Sequence, residues 1–267
     1  MLILALGDLY VPERAADIPS KFKKLLQPRG KIDKVLCLGN ITSSQSTIDF
    51  LKSISNDFQM VRGEFDDDLS LSQSLVFTID NLKIGILNGF QIIPKNDPLS
   101  LLTHARMMDV DVLIYGSTHK VEAYTLDGKF FINPGTATGA YSTDPLDAED
   151  KAVLSRIRAQ SKDKESESEA NADADADSDT DDLEEFFSPC PSFCLLDTSG
   201  SGVDDAKNGS GGGGGATSLT SSSSKDGPAG PGSGSLGSLG ERASCTLYLY
   251  TLVDDEVKID RLSFTKE

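Results

Sequence analysis

Four short apolar runs, each breaking off at a glycine and a polar residue, constrain this chain more than any other feature. Leu2 to Leu6 runs into Gly7-Asp8-Leu9-Tyr10, Val35 to Leu38 into Gly39-Asn40, Phe58 to Val61 into Gly63-Glu64-Phe65-Asp66, and Val110 to Ile114 into Gly116-Ser117-Thr118-His119. Runs this short, interrupted only by Gln59 in the third and Asp111 in the fourth, are expected as strands. Helical patterns lie between the first three. One spans about Ile18 to Leu26, with Phe22, Leu25 and Leu26 on one face; the other starts at a Ser43 or Ser44 cap and continues to Ile54, with Ile48, Leu51 and Ile54 at helical spacing.

The second half turns towards hairpins. Leu75 to Ile79 and Leu82 to Leu87 flank Asp80-Asn81, and Val121 to Thr125 faces Phe130 to Ile132 across Asp127-Gly128. Asp97-Pro98 opens a short helix. Phe193 to Leu196, Thr246 to Val253 and Val257 to Phe264 complete the strands, the last two around Asp254-Asp255-Glu256. The fold class is therefore α/β: parallel βα units, then antiparallel strands, in two packed sheets with helices outside. Ligands of such sheets gather beyond the carboxyl ends of the strands, where Asp8, Asn40, Glu64, Asn88 and His119 all fall.

Two stretches cannot join a core. Residues 144–189 hold sixteen acids and five bases, interspersed with Ser and Ala, and residues 198–243 are rich in Gly and Ser. Both are expected to be disordered, because neither has the apolar surface to offset the entropy of ordering. One domain remains, from 1–143, 190–197 and 244–267. Of the net charge of −17, the acidic insert carries −11 and the second insert −1, leaving −5 on the domain. A domain of that charge has no basic stripe for phosphate backbones, which argues against nucleic acid.

Cys37, Cys194 and Cys245 lie in apolar strand runs and Cys190 borders a linker, a pattern of reduced thiols rather than bridges. The spacing in Cys190-Pro191-Ser192-Phe193-Cys194 does not suit a zinc knuckle. The apolar start, Met1 to Asp8, lacks a basic leader region and a cleavage site and reads as the first buried strand. No run approaches the roughly 20 apolar residues of a membrane span, so a soluble protein is expected.

The succession of motifs resembles the calcineurin-like metallophosphoesterases. More narrowly, it is similar to the phosphoesterase-fold subunits of the retromer sorting complex. The phrases that carry this include Met1 to Asp8, Pro19-Ser20-Lys21-Phe22-Lys23-Lys24-Leu25-Leu26, Val61-Arg62-Gly63-Glu64-Phe65-Asp66, Asn88-Gly89-Phe90-Gln91-Ile92-Ile93-Pro94 and Asn133-Pro134-Gly135-Thr136-Ala137-Thr138-Gly139-Ala140-Tyr141. The resemblance covers the domain and neither insert. It implies a four-layer α-β-β-α sandwich, two mixed sheets flanked by helices.

It also places the family's metal positions on Asp8, Tyr10, Asn40, Glu64, Asn88, Ser117 and His119. In an active two-metal enzyme the second, fifth and sixth of these would be histidines. Asn40 stands in place of the bridging aspartate, and Phe65 in place of a histidine that assists the leaving group. A phenyl ring can neither give nor take that proton, and two-metal catalysis needs both cations about 3.5–4 Å apart. The resemblance thus implies a site without catalytic residues and no cofactor beyond one weakly held divalent ion.

Tyr10, Phe65 and Phe90 give the mouth of the cleft an aromatic character suited to protein contact. The resemblance further implies a non-catalytic adaptor in endosome-to-Golgi and recycling transport, cytoplasmic and held at endosome membranes through the complex, without inserting into them. Ile92 and Ile93 would dock the large α-solenoid retromer subunit. Leu2, Leu25, Leu195, Tyr248, Tyr250 and Ile259 would receive endosomal regulators presenting Pro-Leu motifs; Tyr248 and Tyr250 share a strand face. The competing reading is a metal-dependent phosphodiesterase.

Overall fold

The computed structural model describes residues 1–28, 30–143, 189–198 and 243–266. The expectations for the two inserts therefore lie outside the described residues, apart from Pro189, Thr198 and Ala243 at their edges. Among the described residues the chain forms β1 (Leu2–Leu6), α1 (Ser20–Leu26), β2 (Lys34–Cys37), α2 (Gln45–Ile54), β3 (Asp57–Met60), β4 (Ser74–Ile79), β5 (Leu82–Leu87), α3 (Pro98–Met107), β6 (Val112–Ile114), β7 (Val121–Leu126), β8 (Lys129–Pro134), β9 (Ser192–Asp197), β10 (Ser244–Val253) and β11 (Glu256–Thr265).

The strands make two mixed sheets. The first has the order β11-β10-β9-β1-β2-β3 and the second β4-β5-β6-β8-β7. The parallel pairs are β1 with β2 and β2 with β3, which run to the β3 edge of the first sheet, and β5 with β6 and β6 with β8 in the middle of the second. The hairpins supply the antiparallel strands β10 and β11 at the other edge of the first sheet and both outer strands, β4 and β7, of the second. Asp80-Asn81, Asp127-Gly128 and Asp254-Asp255 all have positive φ at both turn positions, the geometry that matches the twist of paired strands and favours Asn, Asp and Gly.

Three apolar layers bind the sandwich. Ile3, Ala5, Leu36 and Leu38 of the first sheet meet Ile84, Ile86, Val112, Ile114, Phe130 and Ile132 of the second. Phe22 and Leu26 of α1 with Leu51 and Ile54 of α2 cover the outer face of the first sheet over Leu4, Leu6, Val35 and Cys37. Leu101, Leu102 and Ala105 of α3 cover Leu87, Leu113 and Phe131 on the other side. Strands buried on both faces explain the unbroken apolar runs.

Helix boundaries moved where caps decide them. The first helix begins at Ser20 rather than Ile18, because the Ile18 N–H is taken by Asp17 Oδ1 at 2.8 Å and Pro19 stands at the cap. Leu25 does not share the buried face of Phe22 and Leu26; it is 49% exposed. Ser44 caps α2, its hydroxyl accepting from the Thr47 N–H. Asp97 caps α3, accepting from the Ser100 N–H at 2.7 Å, and the expected short helix runs for ten residues.

Candidate functional site

The loops after β1, β2 and β3 meet those after β5 and β6 at one end of the sandwich. Asp8, the first residue but one past β1, is completely buried. Its Oδ1 accepts from Asn40 Nδ2 at 2.9 Å and its Oδ2 from the Ser117 N–H at 2.6 Å, while its carbonyl accepts from Thr136 Oγ1 at 2.7 Å. Burial raises the carboxyl above its ordinary range, against the opposing pull of His119, of the Asn40 and Ser117 donors and of the Lys95 charge.

Asn40 is the hub. Besides Asp8, its Nδ2 donates to the Tyr10 hydroxyl at 2.8 Å, and its Oδ1 accepts from the Phe65 N–H at 3.1 Å. A backbone N–H can only donate, so Phe65 fixes which way the amide faces: oxygen towards its own loop, nitrogen towards the carboxylate and the phenol. Asn88, also fully buried, donates from Nδ2 to the Leu38 carbonyl at 2.7 Å, and its Oδ1 has no hydrogen-bond partner. His119 Nδ1 lies 2.6 Å from the Ala140 carbonyl, which can only accept, so Nδ1 is the donor of that bond.

The backbone here is strained. Asp8, Tyr10, Asn40, Thr42, Ser117 and His119 all have φ between 47° and 72°. Left-handed conformations cost non-glycine residues of order 1–3 kcal/mol each and persist where surroundings over-determine them. At Asn40 and Thr42 the Asp66 side chain does so. Its Oδ2 accepts from the Asn40 and Gly63 N–H groups at 2.7 and 2.8 Å, and its Oδ1 from Ile41 and Thr42 at 3.0 and 3.1 Å. The sequence places Asp66 in a motif without marking its role, because four N–H groups converging on one carboxylate leave no periodic trace.

Glu64, counted among the metal positions, departs from that expectation. It is exposed and stands outside this network, because Asp66 two residues on takes the inward place. Asp8, Tyr10, Asn40, Ser117 and His119 do come together, with Asn88 beside them through the Gly116 N–H to its carbonyl at 2.7 Å. Among the described residues, no three of His, Cys, Asp and Glu gather where a cation could be held.

Aromatic surface caps the site. Tyr10 stacks on His119, centroids 5.2 Å apart, and meets Phe65 edge-on at 5.5 Å. The Arg14 guanidinium lies 4.1 Å above the Tyr10 ring and also faces Phe65 and Tyr141. An open cavity beside it is lined by Tyr10, Glu13, Arg14, Thr42, Ser43, Phe65 and Asp67. Nothing in the sequence singles out Arg14, since a loop residue follows no period.

The two neighbouring isoleucines part company. Ile93 is 83% exposed, whereas Ile92 is 2% exposed. Ile92 packs with Leu87, Leu101 and Leu102, so the expectation that both face a partner is corrected: the α3 side of the second sheet needs one of them as core. The second expected surface lies across the first sheet. Leu195 pairs with Tyr248, and Tyr250 with Ile259, on the face that also carries Leu2. Leu2, Leu195, Tyr248 and Tyr250 are half-buried; Leu25 and Ile259 are exposed. Leu25 lies on α1, which is tied to the hairpin by Lys21 and Asp255 at 2.6 Å. Tyr250 stacks on Phe193, which meets Phe22 edge-on.

The calcineurin-like phosphoesterase superfamily domain matches residues 1–153. Vacuolar protein sorting-associated protein 29 of Saccharomyces cerevisiae is 38% identical over the whole of both chains. The crystal structure of Chaetomium thermophilum Vps29 aligns over 100% of both chains with a TM-score of 0.66 and 32% identity. That of wild-type Vps29 from Entamoeba histolytica complexed with Zn²⁺ aligns over 99% of both with a TM-score of 0.61 and 31% identity.

Proposed function

The chain belongs to the calcineurin-like phosphoesterase superfamily and, within it, to the Vps29 family, and we propose that it is a non-catalytic docking subunit of the retromer complex. A subunit role in vacuolar protein sorting comes with the family. The finer reading rests on one observation above the others: Ile93 projects 83% exposed while its neighbour Ile92 anchors the same segment in the core. An exposed β-branched residue with no apolar cover, beside a cleft already walled by aromatics, fits protein docking. We assign Ile93 to the large α-solenoid subunit and the face of Leu2, Leu25, Leu195, Tyr248, Tyr250 and Ile259 to regulators with Pro-Leu motifs.

The donor set argues against two-metal chemistry. A bridging ligand must offer anionic oxygen to both cations. At this position Asn40 directs N–H at Asp8 and Tyr10, and its oxygen is engaged by the Phe65 N–H. Both Asp8 oxygens already accept donors. No residue in the loop offers the leaving group a proton from position 65. The fold family's dinuclear centre therefore does not fit these residues, and we assign no hydrolytic step to them. Location at endosome membranes follows from complex membership; no helix among the described residues is long and apolar enough to cross a membrane.

The phosphodiesterase reading is separable by assay. A chromogenic phosphodiester incubated with the full chain and millimolar Mn²⁺ or Zn²⁺ is expected to give background rates. Turnover that Asp8→Ala abolishes contradicts the non-catalytic reading. Because the Entamoeba relative was crystallised with zinc, calorimetric titration with Zn²⁺ belongs beside it, with no stoichiometric binding of a cation pair expected.

A further inference from the structure

Ile93 sits on a segment that the chain pins at several points, and one of those pins comes from a distant strand. The Ile93 carbonyl accepts from Ser100 Oγ at 3.0 Å, and the Pro94 carbonyl from the Asp97 N–H at 3.2 Å. Ile92 fastens the inner side among Leu87, Leu101 and Leu102. Between these anchors and α3 stands Asn96, in a left-handed conformation with φ of 59°. Its Nδ2 donates to Glu122 Oε2 at 3.3 Å, and its Oδ1 is buried without a partner. The bond to Glu122 is thus what holds the Asn96 amide.

Glu122 lies on β7, an edge strand of the second sheet. The same oxygen accepts from the hydroxyl of the buried Tyr115 at 2.9 Å. One carboxylate oxygen therefore joins the end of β6 to the segment that presents Ile93. Nothing in the fold's core requires Asn96 to share this oxygen, because Tyr115 alone would satisfy Glu122's contact with the sheet.

We infer that Glu122 is a positioning residue for partner docking: through Asn96 it holds the Ile93 segment in its docking shape before the partner arrives. The inference rests on the reading that Ile93 docks the solenoid subunit. Segments ordered in advance lose less entropy on binding, so a pre-set Ile93 gains affinity without adding a contact.

The test compares affinity with stability in the full chain, measured against the intact solenoid subunit. Asn96→Gly keeps the left-handed backbone accessible but removes the amide. It is expected to weaken binding about five- to tenfold, the equivalent of one lost hydrogen bond, with the melting temperature nearly unchanged. Glu122→Leu is expected to weaken binding by a similar factor and also to lower the melting temperature, since it strands the Tyr115 hydroxyl. Tyr115→Phe is expected to bind as wild type. Glu122→Gln offers one amide oxygen to both donors and is expected to restore wild-type affinity.

Wild-type affinity in Asn96→Gly and Glu122→Leu, with Ile93→Asp unable to bind, overturns the positioning role and leaves the docking reading intact. Wild-type affinity in Ile93→Asp as well overturns the docking reading itself. Loss of affinity in Glu122→Gln equal to that in Glu122→Leu shows the charge touching the partner directly and also overturns the inference.

Discussion

An amide at position 40 serves three partners at once, Asp8, Tyr10 and the Phe65 N–H, and the bonds to Asp8 and Tyr10 are buried away from water. Orphaned buried polar groups cost about 1–3 kcal/mol each, so Asn40→Ala is expected to lower stability by roughly 3 kcal/mol or more, read as a lower urea midpoint at constant slope. Asp66→Ala is expected to cost at least as much, because four N–H groups lose one acceptor. The pH dependence of Asp8 has a defined sign. Its folded carboxyl is raised by burial, so its contribution is complete below the ordinary value of 3.8 and is lost as pH climbs through the raised value. The stability advantage of wild type over Asp8→Asn is therefore expected to be largest below the ordinary value of 3.8 and to shrink as pH rises above it; an advantage that grows with pH contradicts the assignment. Asp8 and Asn40 were legible as residues at strand ends. What sequence could not convey was the direction of the Asn40 amide, which depends on a backbone donor 25 positions away.

At the scale of elements, strand cores were readable and loop geometry was not. The runs Leu2 to Leu6 and Leu82 to Leu87 coincide with β1 and β5, because burial on both faces leaves continuous apolar stretches. Ile92 and Ile93 look alike in sequence, and only the packing of α3 against the second sheet separates core from surface. The glycines at strand ends, expected to serve turn geometry, turn out to have two causes. Gly39 needs its positive φ of 89°. Gly63 has no such φ; a Cβ there would lie 2.2 Å from Asn40 Oδ1. Gly63→Ala is accordingly expected to break the Asn40 hub, with a loss of several kcal/mol of the kind seen for buried polar disruption. A melting temperature within a degree of wild type in Gly63→Ala contradicts the close approach.

Across the whole molecule, the two sheets and their helices enclose three of the four cysteines, while Cys190 remains exposed. Burial pushes the Cys194 and Cys245 thiols up to about 12, and Cys37 is raised as well. Thiolates are the reactive form, so a thiol reagent is expected to label the native chain once, at Cys190, and four times after denaturation. Rapid labelling of a second site in the native chain contradicts the packing of the strands that carry these residues. Such a closed sandwich leaves function to its surface, and the central claim concerns one position on it. The most direct measurement is the affinity of the full chain and its Ile93→Asp variant for the intact solenoid subunit, with unchanged melting temperatures confirming both are folded. A weakening of about 30-fold or more is predicted, the scale of a binding hot spot; equal affinities for the two proteins contradict the account.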